Sequence, residues 1–372
     1  MDMHGVNISD SAATEIDGAV ERIDIKSMDR ESLEQLAVQL GERAYRGRQI
    51  FKWLFGKGAA SFHEMTDLPA SFRERLDQVA EIRRLRPSRI QTASDETVKA
   101  LFTLESGLQF ETVLIPDLET DGGAKRLTVC VSSQIGCAMG CAFCATGTMG
   151  FKANLSSGEI ADQVRFMDEL ARERFGRGIT NVVYMGMGEP LLNYENVLRS
   201  VQILTHADGM GLSARRVTVS TVGLARRIRQ LADDDPGVHL AVSLHAPTDE
   251  QRSAIMPVNR AAATDLKALR AALEHYHQRT GRPITYEYCV FDGRNDSEAD
   301  ARRLAAVSRW VPSKVNLIMY NPVEGLPFER TPEDRLNAFI RVLVAEDVTV
   351  TVRRSRGQDI DAACGQLAVK SA

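Results

Sequence analysis

The stretch Leu127-Thr128-Val129-Cys130-Val131-Ser132, followed by Cys137-Ala138-Met139-Gly140-Cys141-Ala142-Phe143-Cys144, decides how the rest of the chain is read. The first part is short, apolar and β-branched, the pattern of a buried strand. The cysteines therefore lie on a loop leaving the end of a strand. Three thiols fall within eight residues at C-x3-C-x2-C spacing. Thiolates are soft ligands that favour zinc, copper(I) or iron–sulfur centres. A closed structural zinc site takes four ligands, and only three are local here. A four-iron cluster held by three cysteines would leave one iron open, so the loop points to a cluster that binds a further ligand and does chemistry.

Downstream of Cys144, apolar strands alternate with helical patterns. Helices are expected at 157–173, 194–205, 223–232, 264–279, 297–309 and 332–346, and strands at 181–185, 216–220, 238–243, 284–290, 315–319 and 348–352. Ser156 or Ser157 caps the first of these helices, with Glu159 in its first turn. Such alternation implies a parallel sheet with right-handed crossovers. Counted from residue 127, about six βα units and a final strand predict an α/β fold, a partial (β/α)6-type barrel. Active sites of such barrels collect at the carboxyl ends of the strands. The cysteine loop, Gly186-Met187-Gly188-Glu189-Pro190, Ser220, Ser243-Leu244-His245 and Asn321-Pro322 all fall there.

Upstream, helical spacing over 30–54 and 61–80 predicts a small α-helical module. Leu85–Ser94 reads as a basic connector, and 98–104 and 110–116 as short strands. Residues 1–24 are polar without periodicity and read as a mobile tail. The expected organisation is a tail over 1–24, a helical accessory domain over 25–90, and a barrel domain over 91–372 ending in a loop with Cys364. The chain has 372 residues, 44% of them apolar, enough for a sizeable core. No apolar run reaches membrane-spanning length and no signal pattern opens the chain, so a cytoplasmic protein without membrane association is expected.

Six cysteines in such a chain favour metal binding or catalysis over a disulfide framework. Cys289, on an apolar strand, reads as core, and Cys130 between Val129 and Val131 is ambiguous by itself. Cys364 beside Gly365 on a polar loop is poorly placed to be a buried hydrophobe. A net charge of −4 does not announce a nucleic-acid binder. Arginines nevertheless cluster at Arg43, Arg46 and Arg48, at Arg83, Arg84, Arg86 and Arg89, and at Arg353, Arg354 and Arg356. They read either as solvated faces or as phosphate contacts. Phe51, Trp53 and Phe55 could stack on bases, though such spacing is more usual for core, which is the reading taken for Trp53.

Several segments together resemble one family. They are the cysteine loop, Glu111-Thr112-Val113-Leu114-Ile115-Pro116, Cys130 to Cys137, Val183 to Pro190, Val242-Ser243-Leu244-His245-Ala246-Pro247 and Asp359 to Leu367. They are similar to the RlmN/Cfr family of radical S-adenosylmethionine (SAM) enzymes, which methylate an adenine ring carbon in 23S ribosomal RNA. The resemblance runs from about residue 30 to the C-terminus and includes the helical module, whose arginines are then expected to wall an RNA site. It implies that Cys137, Cys141 and Cys144 hold a [4Fe–4S] cluster, with SAM chelating the open iron. Gly188 and Glu189 match the SAM-amine motif, and Ser220, Ser243, Leu244, His245 and Asn321 match further SAM contacts. Cys364 matches the cysteine that becomes S-methylated, Cys130 the resolving cysteine and Glu111 the proton acceptor.

The implied chemistry consumes two SAM per turnover. One methylates Cys364. The second yields a radical that removes hydrogen from that methyl group. The carbon radical adds to the adenine, and Cys130 releases the adduct by forming a transient disulfide with Cys364. The Cys364 loop is expected to move, the disulfide to be reset by the reducing pool, and an electron-donating reductase to be required. A monomer is expected. Met187 to Leu191 and the Glu111 strand lean towards carbon 2, with a carbon-8 (Cfr-type) enzyme as the alternative; some members also modify a tRNA adenosine beside the anticodon. A zinc-binding RNA module without catalysis is the non-enzymatic reading, and it lacks a fourth ligand.

Overall fold

The computed structural model describes residues 22–119, 123–260, 264–353 and 355–369. The proposed mobile tail lies outside them up to residue 21, as does Arg354. The chain divides into two compact units, Met1–Arg84 and Leu85–Ala372.

The first unit is helical. Helices Arg30–Gln39 and Tyr45–Phe51, a wide turn Lys52–Lys57 and helix Ala70–Val79 surround a core that includes Leu33, Ile50, Phe55, Phe72 and Leu76. The Asp29 side chain caps the first helix by accepting from the Ser32 N–H at 2.8 Å. Gly47 is required where the second helix meets the first, since a Cβ there would lie 2.3 Å from the Glu34 nitrogen. Phe51 and Phe55 are core, with ring centroids 5.0 Å apart. Trp53 is only half-buried, contrary to the core reading. Its Nε1 donates to Asp67 Oδ1, and Lys57 Nζ lies 3.4 Å from its ring centroid.

The second unit is a ten-stranded sheet. Its strands are β1 (Pro87–Thr92), β2 (Val98–Thr103), β3 (Gln109–Leu118), β4 (Ala124–Cys130), β5 (Asn181–Tyr184), β6 (Val217–Thr221), β7 (His239–Ser243), β8 (Ile284–Val290), β9 (Ser313–Met319) and β10 (Val350–Arg353). They lie in sequence order across the sheet. Strands β1 to β4 pair antiparallel, and β4 to β10 pair parallel through helical crossovers. Among the described residues strands β1 and β10 are not paired with each other, so the barrel is open, as predicted. Ser156 and Glu159 form the capping box of helix Ser157–Phe175.

Two further local expectations fail: the helix expected over 61–80 begins only at Ala70, and the connector is not one. Residues 87–92, read as connector, form β1. Polar exposed residues and a leading proline suit a sheet edge, where one side of the backbone has no partner to satisfy. Among the described residues no helix is long and apolar enough to cross a membrane.

Candidate active site

The ends of β4 and β5 are locked together by buried polar groups. Gln163, on helix Ser157–Phe175, accepts from the Ser132 N–H at 2.8 Å and from the Thr112 hydroxyl at 2.6 Å. The Ser132 hydroxyl donates to the Glu111 carbonyl at 2.6 Å, and its oxygen accepts from the Met187 N–H at 2.9 Å. A short antiparallel pair, Gln134–Gly136 with Phe151–Asn154, flanks the cysteine loop, and the Cys137 N–H donates to the Gly150 carbonyl. Gly136, at φ +70°, could not carry a Cβ, which would meet the Gly150 oxygen at 1.8 Å.

Above these strand ends opens a cleft of about 1330 Å³ including its solvent-open part. Cys137, Cys141 and Cys144 line it together. Burial pushes all three thiols up, Cys137 to about 12, and Cys141 is raised further by its two neighbours. A positively charged metal centre is what would reverse this. Three soft thiolates are one short of the four that a closed zinc site takes. A cluster asks instead for one thiolate per iron. The donor set therefore fits an iron–sulfur cluster held at three corners.

Glu189 is placed to meet a cation. It is 2% exposed and lines the cleft. Its carboxylate accepts from the Val222 N–H at 2.9 Å and the Leu191 N–H at 3.0 Å, while its own N–H donates to Gln134 Oε1. Burial pushes it up to about 7, and the groups that hold it down are neutral donors of Val222, Thr221 and Leu191. A ligand ammonium would supply the missing charge. Gly188, at φ +100°, tolerates no Cβ, since Gln134 Cβ would stand 2.5 Å away.

Ser220, Ser243 and His245 line the same cleft. His245 Nδ1 accepts from the Cys289 N–H at 3.0 Å, which leaves the ring proton on Nε2. Burial and then Arg252 push this histidine down to about 3, so it stays neutral. Asn321 also lines the cleft; it accepts from Gln358 Nε2 and reaches the Cys364 carbonyl at 3.4 Å. Leu244 does not line the cleft. Its side chain is fully buried, and it meets Glu287 only through its backbone N–H.

Cys130 and Cys364 come together on this cleft although they are far apart in sequence. All six cysteines are free thiols, so the disulfide implied by the resemblance is not formed here. Burial pushes the Cys130 thiol up to about 12, with Arg353 drawing it down and the Cys364 sulfur adding a smaller rise. Cys364 is exposed into the cleft, yet its surroundings still raise its thiol. Its loop is docked rather than loose. The Ala145 N–H donates to the Gly365 carbonyl, the Thr146 hydroxyl to the Leu367 carbonyl at 2.6 Å and Gln366 Nε2 to the Pro322 carbonyl at 3.0 Å. Cys289 is core, as expected.

Glu111 lies on β3 outside the cleft lining. Its Oε1 pairs with Lys99 Nζ at 3.0 Å, both side chains being almost fully buried, while Oε2 has no hydrogen-bond partner. Burial raises the carboxyl and Lys99 draws it back. Lys99→Met should therefore destabilise the fold by about 3 kcal/mol. Without Lys99 the raised carboxyl enters the fold protonated at low pH and costly when charged, so thermal denaturation should show a larger loss at pH 8 than at pH 5. Lys99→Met combined with Glu111→Gln should recover most of it.

Among the cleft residues that the sequence reading does not single out are Met185, Glu287 and, in its true setting, Arg353. Glu287 stood as a charge inside the apolar run 284–290, a detectable signal. Arg353 was grouped with surface arginines, although it ends a barrel strand.

An open parallel α/β barrel with three cysteines on the loop after its first parallel strand defines a radical-SAM protein. Residues 131–305 match the Radical SAM superfamily, and residues 23–82 match the Ribosomal RNA large subunit methyltransferase N-terminal domain. A Salinibacter ruber protein described as a probable dual-specificity RNA methyltransferase RlmN is 59% identical over 358 residues, covering 96% of this chain and 97% of its own. The dual-specificity RNA methyltransferase RlmN of Anaeromyxobacter dehalogenans is 45% identical, covering 93% and 92%. The crystal structure of a radical SAM methyltransferase from Sphaerobacter thermophilus superposes with a TM-score of 0.84 at 44% identity, covering 93% of this chain and 99% of that one. The chain belongs to the RlmN family of radical-SAM RNA methyltransferases.

Proposed function

We propose that the chain methylates carbon 2 of an adenosine in 23S ribosomal RNA, and an adenosine near the tRNA anticodon, through a methyl-cysteine intermediate. The observation that carries this reading is the presence of two further thiols, Cys130 and Cys364, on the same cleft as the three-cysteine loop. A radical-SAM enzyme that only generated a radical would need neither. The relatives named dual-specificity RNA methyltransferases support two RNA substrates.

Bound cluster and SAM, two molecules per turnover, supply the methyl group and the radical that activates it. Glu189 receives the SAM ammonium, the neutral ring of His245 offers its Nε2–H, and Ser220, Ser243 and Asn321 complete the SAM pocket. The Leu244 contribution is confined to its backbone. Cys364 accepts the methyl group and presents it to the base. Cys130 attacks the Cys364 sulfur to free the product. Glu111, raised by burial and with Oε2 unbonded, takes the ring proton only after turning from Lys99 towards the cleft, whose lining it does not join here. The helical unit, with exposed Arg43, Arg48 and Arg83, contributes phosphate contacts. The enzyme works as a cytoplasmic monomer, where a reductase feeds the cluster and the thiol pool resets the disulfide.

Protein purified without oxygen should be brown, with about four irons per chain. Incubated with SAM, a reductant and either 23S RNA or tRNA, it should yield 2-methyladenosine on nucleoside mass spectrometry. 8-Methyladenosine would assign the carbon-8 reaction instead. A colourless protein with one zinc per chain would overturn the enzyme reading.

A further inference from the structure

Arg353 ends β10, the outermost parallel strand, but its side chain crosses the barrel. Four strands, β9 to β6, separate β10 from β5 in the sheet. Yet Arg353 Nη1 lies 3.6 Å from the sulfur of Met185, the residue after β5. The guanidinium therefore spans the interior of the barrel mouth. A thioether is a weak acceptor, so this contact alone does not explain the reach.

What surrounds the guanidinium does. Cys130 is in register with Val183 of β5, and the Met185 N–H is directed at the Cys130 sulfur. Arg353, Cys130, Cys364 and Glu287 all line the one cleft. The charges facing Arg353 are thus the two sulfurs from β4 and the C-terminal loop, and the Glu287 carboxylate from β8, itself held by Asn316 Nδ2 at 2.8 Å. Arg356 is the other arginine on the cleft wall.

Cys130 needs a cation. It is 7% exposed, and a nucleophilic sulfur must be a thiolate. Burial first, and then the neighbouring Cys364, work against that charge and leave the thiol raised to about 12, while Arg353 and the Met185 amide lower it. Arginine suits the task, because burial does not remove its proton.

We propose that Arg353 is a positioning residue that pairs with the Cys130 sulfur as it loses its proton, and so favours the thiolate that attacks Cys364. The proposal rests on the roles given to those two cysteines under the proposed function. In the step it serves, the Cys130 thiolate pair forms the S–S bond. The bond between the Cys364 sulfur and the ring-attached methylene breaks, and its electron pair stays on that carbon, which takes a proton to become methyl. The sulfurs are oxidised to the disulfide and the carbon is reduced.

The test uses cluster-loaded Arg353→Met and Arg353→Lys proteins of unchanged iron content. Iodoacetamide alkylation of Cys130 is followed against pH by peptide mass spectrometry, without SAM or RNA. Arg353→Met should move the midpoint up by about one unit or more and slow alkylation at pH 8 about tenfold. Arg353→Lys should restore part of the rate, which a purely steric role would not predict. An alkylation profile in Arg353→Met equal to that of the wild type overturns the proposal. In turnover with RNA, Arg353→Met should build up a covalent RNA–protein species while Cys364 is still methylated. If no variant, Cys130→Ala included, ever traps RNA, the cysteine roles fail; the alkylation shift still reports on Arg353 by itself.

Discussion

Cys364→Ala should abolish RNA methylation, by about 10³-fold or more, while leaving iron content and fold unchanged. The geometry separates the two effects. The Cys364 loop is docked through backbone atoms: the Cys364 carbonyl meets Asn321, the Gly365 carbonyl meets Ala145 and the Leu367 carbonyl meets Thr146. An alanine keeps every one of these contacts. The side chain itself is exposed into the cleft, so its truncation should cost no more than about 0.5 kcal/mol. What disappears is the only proposed nucleophile for the first methyl transfer. Label from methyl-labelled SAM should then reach neither protein nor RNA. Cys144→Ala is the contrasting control, since it should lose iron as well as activity. A Cys364→Ala protein that still methylates RNA would remove the methyl-cysteine route altogether.

Cys130→Ala should produce the second large effect, and one of a different kind. Methylation of Cys364 and attack on the base both precede the step that needs Cys130. RNA should therefore be captured as a covalent complex, visible as a protein band shifted by RNA and sensitive to nuclease. Released methyladenosine should fall about 10²-fold or more. The strand should survive the change. Cys130 is held in β4 by pairing to Val113 and Val183, and loss of one buried sulfur costs about 1 kcal/mol. Free, unmodified RNA in the presence of full Cys364 methylation would show that Cys130 does not resolve the adduct.

Much of this arrangement is legible from residue order. The β/α alternation after Cys144 predicts the parallel strands closely, because a strand buried on both faces leaves a continuous apolar run that a solvated segment cannot mimic. The turn at Gly188 is legible for a similar reason, since only glycine fits beside Gln134 at positive φ. Edge strand β1 is not, because an edge exposes polar residues just as a linker does. Glu111 and Leu244 show a second limit. A motif match carries a residue's identity but not its direction. The first faces Lys99 outside the cleft lining, and the second packs into the core behind it.

By itself the sequence determined the barrel, the three-thiol loop, and the list of cysteines from which the chemistry is drawn. Each is a local matter of periodicity, spacing or residue type. Only the tertiary structure decided who faces whom. It brought Cys364 to Cys130 across more than two hundred residues of chain, docked the Cys364 loop on Ala145 and Thr146, and laid Arg353 across the barrel mouth to Met185, on the cleft that both sulfurs line. Proximity of that kind follows from sheet order and crossover packing, which no stretch of residues encodes alone.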